Sequence, residues 1–247
     1  MENEIILAII QGLTEFLPIS SSGHLSLFSK ILGEPTDLFF ITALHIASLI
    51  AVLIFTRNEI IEILKFKKEN NKFLAFLIIA TIPATLAGYF LEDVIEKSFD
   101  SLLFLGIAFL FTGLILSLTS LKFKPANFTY KNSLIIGLFQ ILALFPGVSR
   151  SGMTISAALF SGIEREKAIK FSFLLFIPLA IGAFALETSK AYFNVTLAIA
   201  LIVCLIVSLV SLYVLNYIIK KRLFWIFSIY CFILSIITLT LHFKYFN

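Results

Sequence analysis

Charge is what this sequence has least of. Only 14% of its 247 residues are Asp, Glu, Lys or Arg, against 60% hydrophobic residues and 28 phenylalanines, far from the balance of a soluble domain. Cysteine is nearly absent as well: Cys204 and Cys231 stand alone inside apolar segments, which excludes a disulfide framework and a paired-cysteine metal motif. The opening MENEIILAIIQGLTEF lacks the basic start and the A-x-A-like cleavage site of a signal peptide, so the N-terminus is expected to be that of the mature chain. No polar stretch is long enough to fold as a separate soluble domain. The net charge of +4 gives no indication of nucleic acid, because basic residues in a membrane protein first report orientation.

What is present is apolar sequence in long runs. A helix needs about 18 or more such residues to cross the hydrocarbon core, and six segments qualify: roughly 38–56, 73–91, 101–121, 168–186, 195–218 and 224–243. Basic residues collect in the connections 57–72 (Arg57, Lys65, Lys67, Lys68, Lys72), 122–131 (Lys122, Lys124, Lys131) and 219–223 (Lys220, Lys221, Arg222), which are expected on the cytoplasmic side. The connection 92–100 is mostly acidic, with Glu92, Asp93, Glu96 and Asp100 against Lys97, and is expected outside.

Two stretches, 5–32 and 133–163, are broken in the middle by proline, glycine and serine. Breaks of that kind would strand backbone hydrogen-bonding groups in lipid. Because the helix after the first stretch starts outside and the helix after the second starts inside, both are expected to be re-entrant hairpins entering from opposite faces. Setting Gln11 against Gln140 pairs Leu13/Leu142, Phe16/Phe145, Ser20/Ser149, Ser22/Ser151 and Gly23/Gly152. IPATLAGYFLE (82–92) likewise resembles IPLAIGAFALE (177–187). The expected fold is therefore an all-α integral membrane protein with six transmembrane helices plus two re-entrant helical hairpins in an inverted-topology repeat. It forms one membrane domain over 1–247, with a first repeat at about 5–91, a second at about 133–218 and a final helix at 224–243. Such proteins place their site near the bilayer midplane, where broken half-helices meet.

If the hairpins meet, PISSSGH (18–24) faces PGVSRSGMT (146–154), and a second half-helix starts near Ser22 and near Ser151. Two helix N-termini and Arg150 make an anion site; Gly23, Gly147 and Gly152 allow close backbone approach, and Ser149 and Ser151 supply donors. Phosphate or diphosphate is the natural ligand. Arg150 is the one arginine of four within an apolar stretch, where an unpaired guanidinium costs about several kcal/mol. An ion pair with Glu15 tying the hairpins together is one role for it; bidentate phosphate recognition suits the surrounding glycines and hydroxyls better.

Glu15 is the only carboxylate inside an apolar segment, and Gln11, at i−4, points from the same face. The pair can bind a divalent cation, orient a nucleophile or simply pack. Pro18 stops the helix and brings Glu15 within reach of Ser20, Ser21 and Ser22. Ser21 is the preferred nucleophile; Ser22, preceding the half-helix, is equally suited to capping it. His24 follows beside serines and a buried glutamate, which favours a functional histidine. His45 has no polar company in sequence and is expected to make a helix–helix hydrogen bond more readily than to line the pocket. Thr154 can donate to an anion or bond back to its own helix.

QGLTEFLPISSSGHL together with PGVSRSGMT closely resembles the paired signatures of the undecaprenyl-diphosphate phosphatase family of the bacitracin-resistance type, across nearly the whole chain. The resemblance implies a multi-pass enzyme of the bacterial cytoplasmic (inner) membrane. Such an enzyme removes the terminal phosphate of undecaprenyl diphosphate and recycles the lipid carrier for cell-wall synthesis. It marks Glu15, Ser21 and His24 as catalytic and Ser149, Arg150 and Thr154 as diphosphate ligands; on the reading of the residues themselves Arg150 counts among the catalytic groups, and Ser20, Ser22, Gly23, Ser151 and Gly152 complete the substrate-binding tips. It also implies a divalent cation, Mg2+ or Ca2+, for which Glu15 and Gln11 are this chain's candidate ligands. Many members have a second glutamate where this chain has Gln11, which cannot serve as a base.

Partners expected are the isoprenyl diphosphate lipid and the bilayer, with no nucleic acid; the sequence is silent on oligomeric state and leaves a homodimer open. An alternative with the same midplane anion site is an isoprenyl-phosphate flippase. Lipid phosphatases with a histidine nucleophile are excluded, since they need a histidine several residues after the Ser-Arg pair and none follows Arg150 until His242.

Overall fold

The computed structural model describes residues 2–33, 38–65, 67–187 and 193–246, and among them the chain is helical with no strand. Four of the helices are long and apolar enough to cross a membrane alone, and six spans result if each of two bent helix pairs counts as one. The protein is thus an all-helical, multi-pass membrane protein.

The two broken stretches form half-helices. The first gives α1 (Glu2–Thr14) and α2 (Ser21–Leu32); the second, after the intervening spans, gives α8 (Tyr130–Leu142) and α9 (Arg150–Phe160). The remaining elements are α3 (Leu38–Phe55), α4 (Arg57–Leu64), α5 (Lys68–Phe90), α6 (Glu92–Phe99), α7 (Leu102–Leu118), α10 (Arg165–Glu187), α11 (Val195–Lys220) and α12 (Ile226–Phe246). Each expected span therefore coincides with a helix. The connections 57–72 and 92–100 are not simple loops: α4 bends 72° away from α3, and α6 meets α7 at 101°. Both short helices are amphipathic, with Ile60, Ile61 and Leu64 spaced at three and four residues in the first, and Ile95 and Phe99 at four in the second, along charged sequence. At the C-terminal end of α4 the Lys65 ammonium pairs with Glu62. Phe66 and the Lys68 side chain, within the basic connection, lie outside the described residues.

In the bundle α1 packs on α11 and α8 on α5, α3 lies against both α10 and α11, and α7 pairs with α12. Without a hydrophobic force between helices in lipid, small residues and interhelical hydrogen bonds hold such pairs. Gly12 lets α1 approach α11 so closely that a Cβ there would lie 2.8 Å from the Cys204 carbonyl oxygen. Ser48 and Ser208 share a hydrogen bond of 3.1 Å between α3 and α11, and Ser211 donates to the Leu13 carbonyl at 2.8 Å. The largest buried cluster gathers Phe16, Phe171, Phe173 and Phe176 beside the junction of the two tips.

Candidate active site

Proline and serine decide how each tip turns. The α1 hydrogen-bond ladder runs one residue past Thr14, with the Glu15 amide donating to Gln11 O at 2.9 Å, and Pro18 then stops it. Ser20 follows at φ 68°, ψ 97°, a left-handed conformation rare for a residue with a Cβ. It caps α2: its Oγ accepts from the Gly23 amide at 3.2 Å. In the second tip Ser149 caps α9 in the same way, accepting from the Gly152 amide at 3.1 Å. In both tips the cap hydroxyl also lies 3.3 Å from the serine two residues on, Ser22 and Ser151 respectively. The caps are Ser20 and Ser149, so Ser22 is not the cap but sits inside the first turn of α2.

The tips interlock. Ser20 Oγ accepts a second hydrogen bond, from the Gly147 amide at 3.0 Å, and Ser151 Oγ donates to Leu17 O at 3.3 Å. Thr112 of α7 clamps the second tip from outside, donating to Gly147 O at 2.8 Å and accepting from the Ser149 amide at 3.3 Å. Gly23 and Gly147 meet backbone to backbone: a Cβ on Gly23 would fall 2.7 Å from Gly147 N and equally close to the Phe109 ring. Gly147 has a φ of +87°, which glycine adopts freely.

Against this junction Glu15 is the hub. Its Oε1 accepts from Arg150 Nη2 at 3.0 Å, while its Oε2 accepts from Ser21 Oγ at 2.6 Å and from Gln11 Nε2 at 2.9 Å. Both charges are deep, the Glu15 and Arg150 side chains being 6% and 14% exposed. Arg150 is further held by Nη1 donating to Ser172 O at 3.1 Å and by the Phe176 ring, 4.5 Å from its guanidinium carbon. Phe16 packs edge-on against both Phe173 and Phe176, so the pair rests on an aromatic floor that keeps the local dielectric low.

The structure thus brings together Gln11, Glu15, Ser21 and Arg150, with Ser20, Ser22, Gly23, Ser149, Ser151 and Gly152 forming the two tips around them. Thr154 bonds back to its own helix, its Oγ1 lying 2.9 Å from Arg150 O and 2.7 Å from Ser172 Oγ. His24 stands apart from the hub. Its Nδ1 is 2.7 Å from Ser20 O and its Nε2 is 2.7 Å from the Tyr230 hydroxyl. The histidine that does face the carboxylate is His45, with Nε2 at 3.5 Å from Glu15 Oε2 and Nδ1 at 2.9 Å from Ile41 O. Its only signal in sequence is that it is the sole ionisable residue of α3. Ser172, Thr112 and Tyr230 carry no signal at all, because each joins the site from a helix distant in sequence.

Whether these residues suit a hard divalent cation is a question of donors. Glu15 Oε2, Ser21 Oγ and the side-chain oxygen Oε1 of Gln11, which is buried and has no hydrogen-bond partner, are oxygen ligands of the kind such ions take. Among the described residues no group of three or more His, Cys, Asp or Glu gathers to form a cage. The set therefore fits a cation that draws its remaining ligands from water and from substrate phosphates.

A family model described as Bacitracin resistance protein BacA matches residues 4–237. The chain is 45% identical over 242 residues to a protein of Thermosipho africanus named undecaprenyl-diphosphatase, covering 95% of this chain and 98% of that one. Proteins of the same name from Methanococcus maripaludis and Thermotoga maritima are 39% and 38% identical, covering 96% and 95% of this chain and 98% of each of theirs.

Proposed function

The chain belongs to the bacitracin resistance protein BacA family, and from that premise we propose that the Glu15–Ser21–Arg150 centre hydrolyses undecaprenyl diphosphate to undecaprenyl phosphate and inorganic phosphate. The observation that carries the assignment of roles is the 2.6 Å hydrogen bond from Ser21 Oγ to Glu15 Oε2, with the other carboxylate oxygen fixed by Arg150. A nucleophile bonded to a base that a third group orients is the arrangement acyl- and phosphoryl-transfer enzymes use to activate a hydroxyl.

Ser21 Oγ attacks the terminal phosphorus in line while its proton passes to Glu15 Oε2. The P–O bond to the bridging oxygen breaks, and undecaprenyl phosphate leaves with the bonding pair. Its second pKa is about 6, so the leaving group needs no strong acid. Water then attacks the seryl phosphate: the P–O bond to Ser21 breaks with its electron pair on Ser21 Oγ, which takes back the proton held on Glu15, and the proton the water loses leaves with inorganic phosphate. Arg150 and the first amides of α2 and α9, which have no intrahelical partner, face the phosphoryl oxygens and neutralise the charge where catalysis of phosphoryl transfer lies. Glu15 and Gln11 would hold a bound Mg2+ or Ca2+, whose chemistry is to screen the negative charge of the diphosphate.

The finer architecture belongs to the same reading: six spans, with α1–α2 and α8–α9 as re-entrant hairpins of an inverted repeat in one membrane domain, in the bacterial cytoplasmic membrane. The matching cap hydrogen bonds of Ser20 and Ser149, each accepting from the amide three residues on, support the repeat. The transport alternative is not favoured, since the relatives are named for hydrolysis. The test is release of inorganic phosphate by purified protein from detergent-solubilised undecaprenyl diphosphate, followed by acid trapping with labelled substrate. Phosphate recovered on Ser21 is expected; a Ser21→Ala protein with near-normal turnover would instead make water the direct nucleophile.

A further inference from the structure

The histidine of the first tip is tied at both ring nitrogens. Ser20 O is a carbonyl and can only accept, so His24 Nδ1, 2.7 Å away, carries the proton. The other nitrogen then has a lone pair, and the Tyr230 hydroxyl at 2.7 Å donates to it. The two rings lie nearly parallel, 12° between planes with centroids 5.7 Å apart, and Phe109 closes the other side edge-on at 5.5 Å. His24 is buried, 3% exposed. Its own backbone amide also reaches Ser20 O, at 3.1 Å, so one carbonyl takes two donors from one residue.

Ser20 is the place where such an anchor matters. It is the only non-glycine residue of either tip with a positive φ among those described, and a left-handed serine persists only where its surroundings hold it. Its conformation sets where Ser21, the next residue, presents its hydroxyl to Glu15. We propose that Tyr230 of α12 is a positioning residue for phosphoryl transfer: through the chain Tyr230 Oη–H···Nε2 His24 Nδ1–H···O=C Ser20 it holds the strained turn that aims Ser21 at Glu15. The lone pair of His24 is occupied by Tyr230, so in this geometry His24 does not take the Ser21 proton; it transmits a position. The inference rests on the phosphatase reading for its kinetic consequence, and on hydrogen-bond chemistry alone for the tautomer.

The experiment has two arms. In the first, 15N-labelled histidine in nanodisc-embedded protein is examined by NMR, where the Nδ1–H tautomer with Nε2 as acceptor is expected for His24. Tyr230→Phe, which keeps the ring stacking, is expected to move the Nε2 resonance alone. An Nε2–H tautomer, or no change on Tyr230→Phe, overturns the proposal whatever the activity. In the second, Tyr230→Phe is expected to lower kcat about tenfold, the effect of losing one hydrogen bond of about 1.4 kcal/mol, with KM within about twofold. In a His24→Ala background the same change is expected to do nothing further, because Tyr230 acts only through His24. Additive losses, or a raised KM at constant kcat, overturn it. If the unmodified protein releases no phosphate, the phosphatase reading falls while the NMR arm still decides the tautomer.

Discussion

Ser21 and Glu15 are six residues apart, yet they meet only because Pro18 ends one helix and Ser20 starts another. Replacing Ser21 by alanine is expected to lower kcat by roughly 10³-fold or more, measured as phosphate release, with the fold unchanged because Ser21 is half-buried, Ser20 rather than Ser21 caps α2, and Glu15 keeps Arg150 and Gln11 as partners. Glu15→Gln is expected to reduce kcat by about 10²–10⁴-fold, the range for loss of a general base. It also leaves the guanidinium of Arg150 without its counter-charge, destabilising the protein by about 3 kcal/mol. Adding Arg150→Met to Glu15→Gln is then expected to restore thermal stability but not activity; a double variant less stable than Glu15→Gln alone would show that the pair is not coupled in this way. Glu15, Ser21, Arg150 and Gln11 were legible as a group in the sequence, because polar residues in an apolar run are expensive and rarely idle. His45 was not, since its nearness to Glu15 depends on how α3 crosses α1.

At the scale of the element, the two tips behave as one structural unit. Gly23→Ala puts a methyl group 2.7 Å from the Gly147 backbone, which cannot yield as a side chain does. It is expected to cost about 1–3 kcal/mol and to lower activity without touching any reacting group. A melting temperature equal to that of the unmodified protein would mean that the tips lie farther apart than described. The half-helices and their breaks were readable from proline, glycine and serine. The cap was not, because Ser20, Ser21 and Ser22 are chemically alike and only the φ of 68° at Ser20 selects one. The two internal matches also part company here. Gln11 and Gln140 both end first half-helices, whereas Ile82–Pro83 lies in α5, beyond α3, and Ile177–Pro178 lies in α10, directly after α9. The second match therefore joins helices at different places in the order, as apolar sequences do by chance.

Over the whole molecule, sidedness and cation dependence are the properties to measure. In sealed right-side-out vesicles, a cysteine at Glu92, exposed in α6, is expected to react with an impermeant maleimide, and one at Lys122 only after permeabilisation; the reverse order would invert the topology. Cys204 and Cys231 are fully buried and provide a silent background. Removing divalent cations with a chelator is expected to lower phosphate release, and Mg2+ or Ca2+ to restore it, while the melting temperature of the substrate-free protein barely moves. The reason is that Arg150 already neutralises the one carboxylate. A large drop in melting temperature would point to a cation resident before substrate.

The sequence by itself determined the membrane class, the places where each helix is interrupted, and which few polar residues carry chemistry, because in lipid every unpaired backbone group and every charge is costly enough to leave a local mark. Tertiary structure alone decided that Arg150 reaches across 135 positions to Glu15. It also turned His24 toward Tyr230 rather than Ser21, and brought His45, Thr112 and Ser172 into the site. Contacts between distant helices depend on crossing angles and on how closely glycines let backbones approach, and no residue along the chain records those by its own identity.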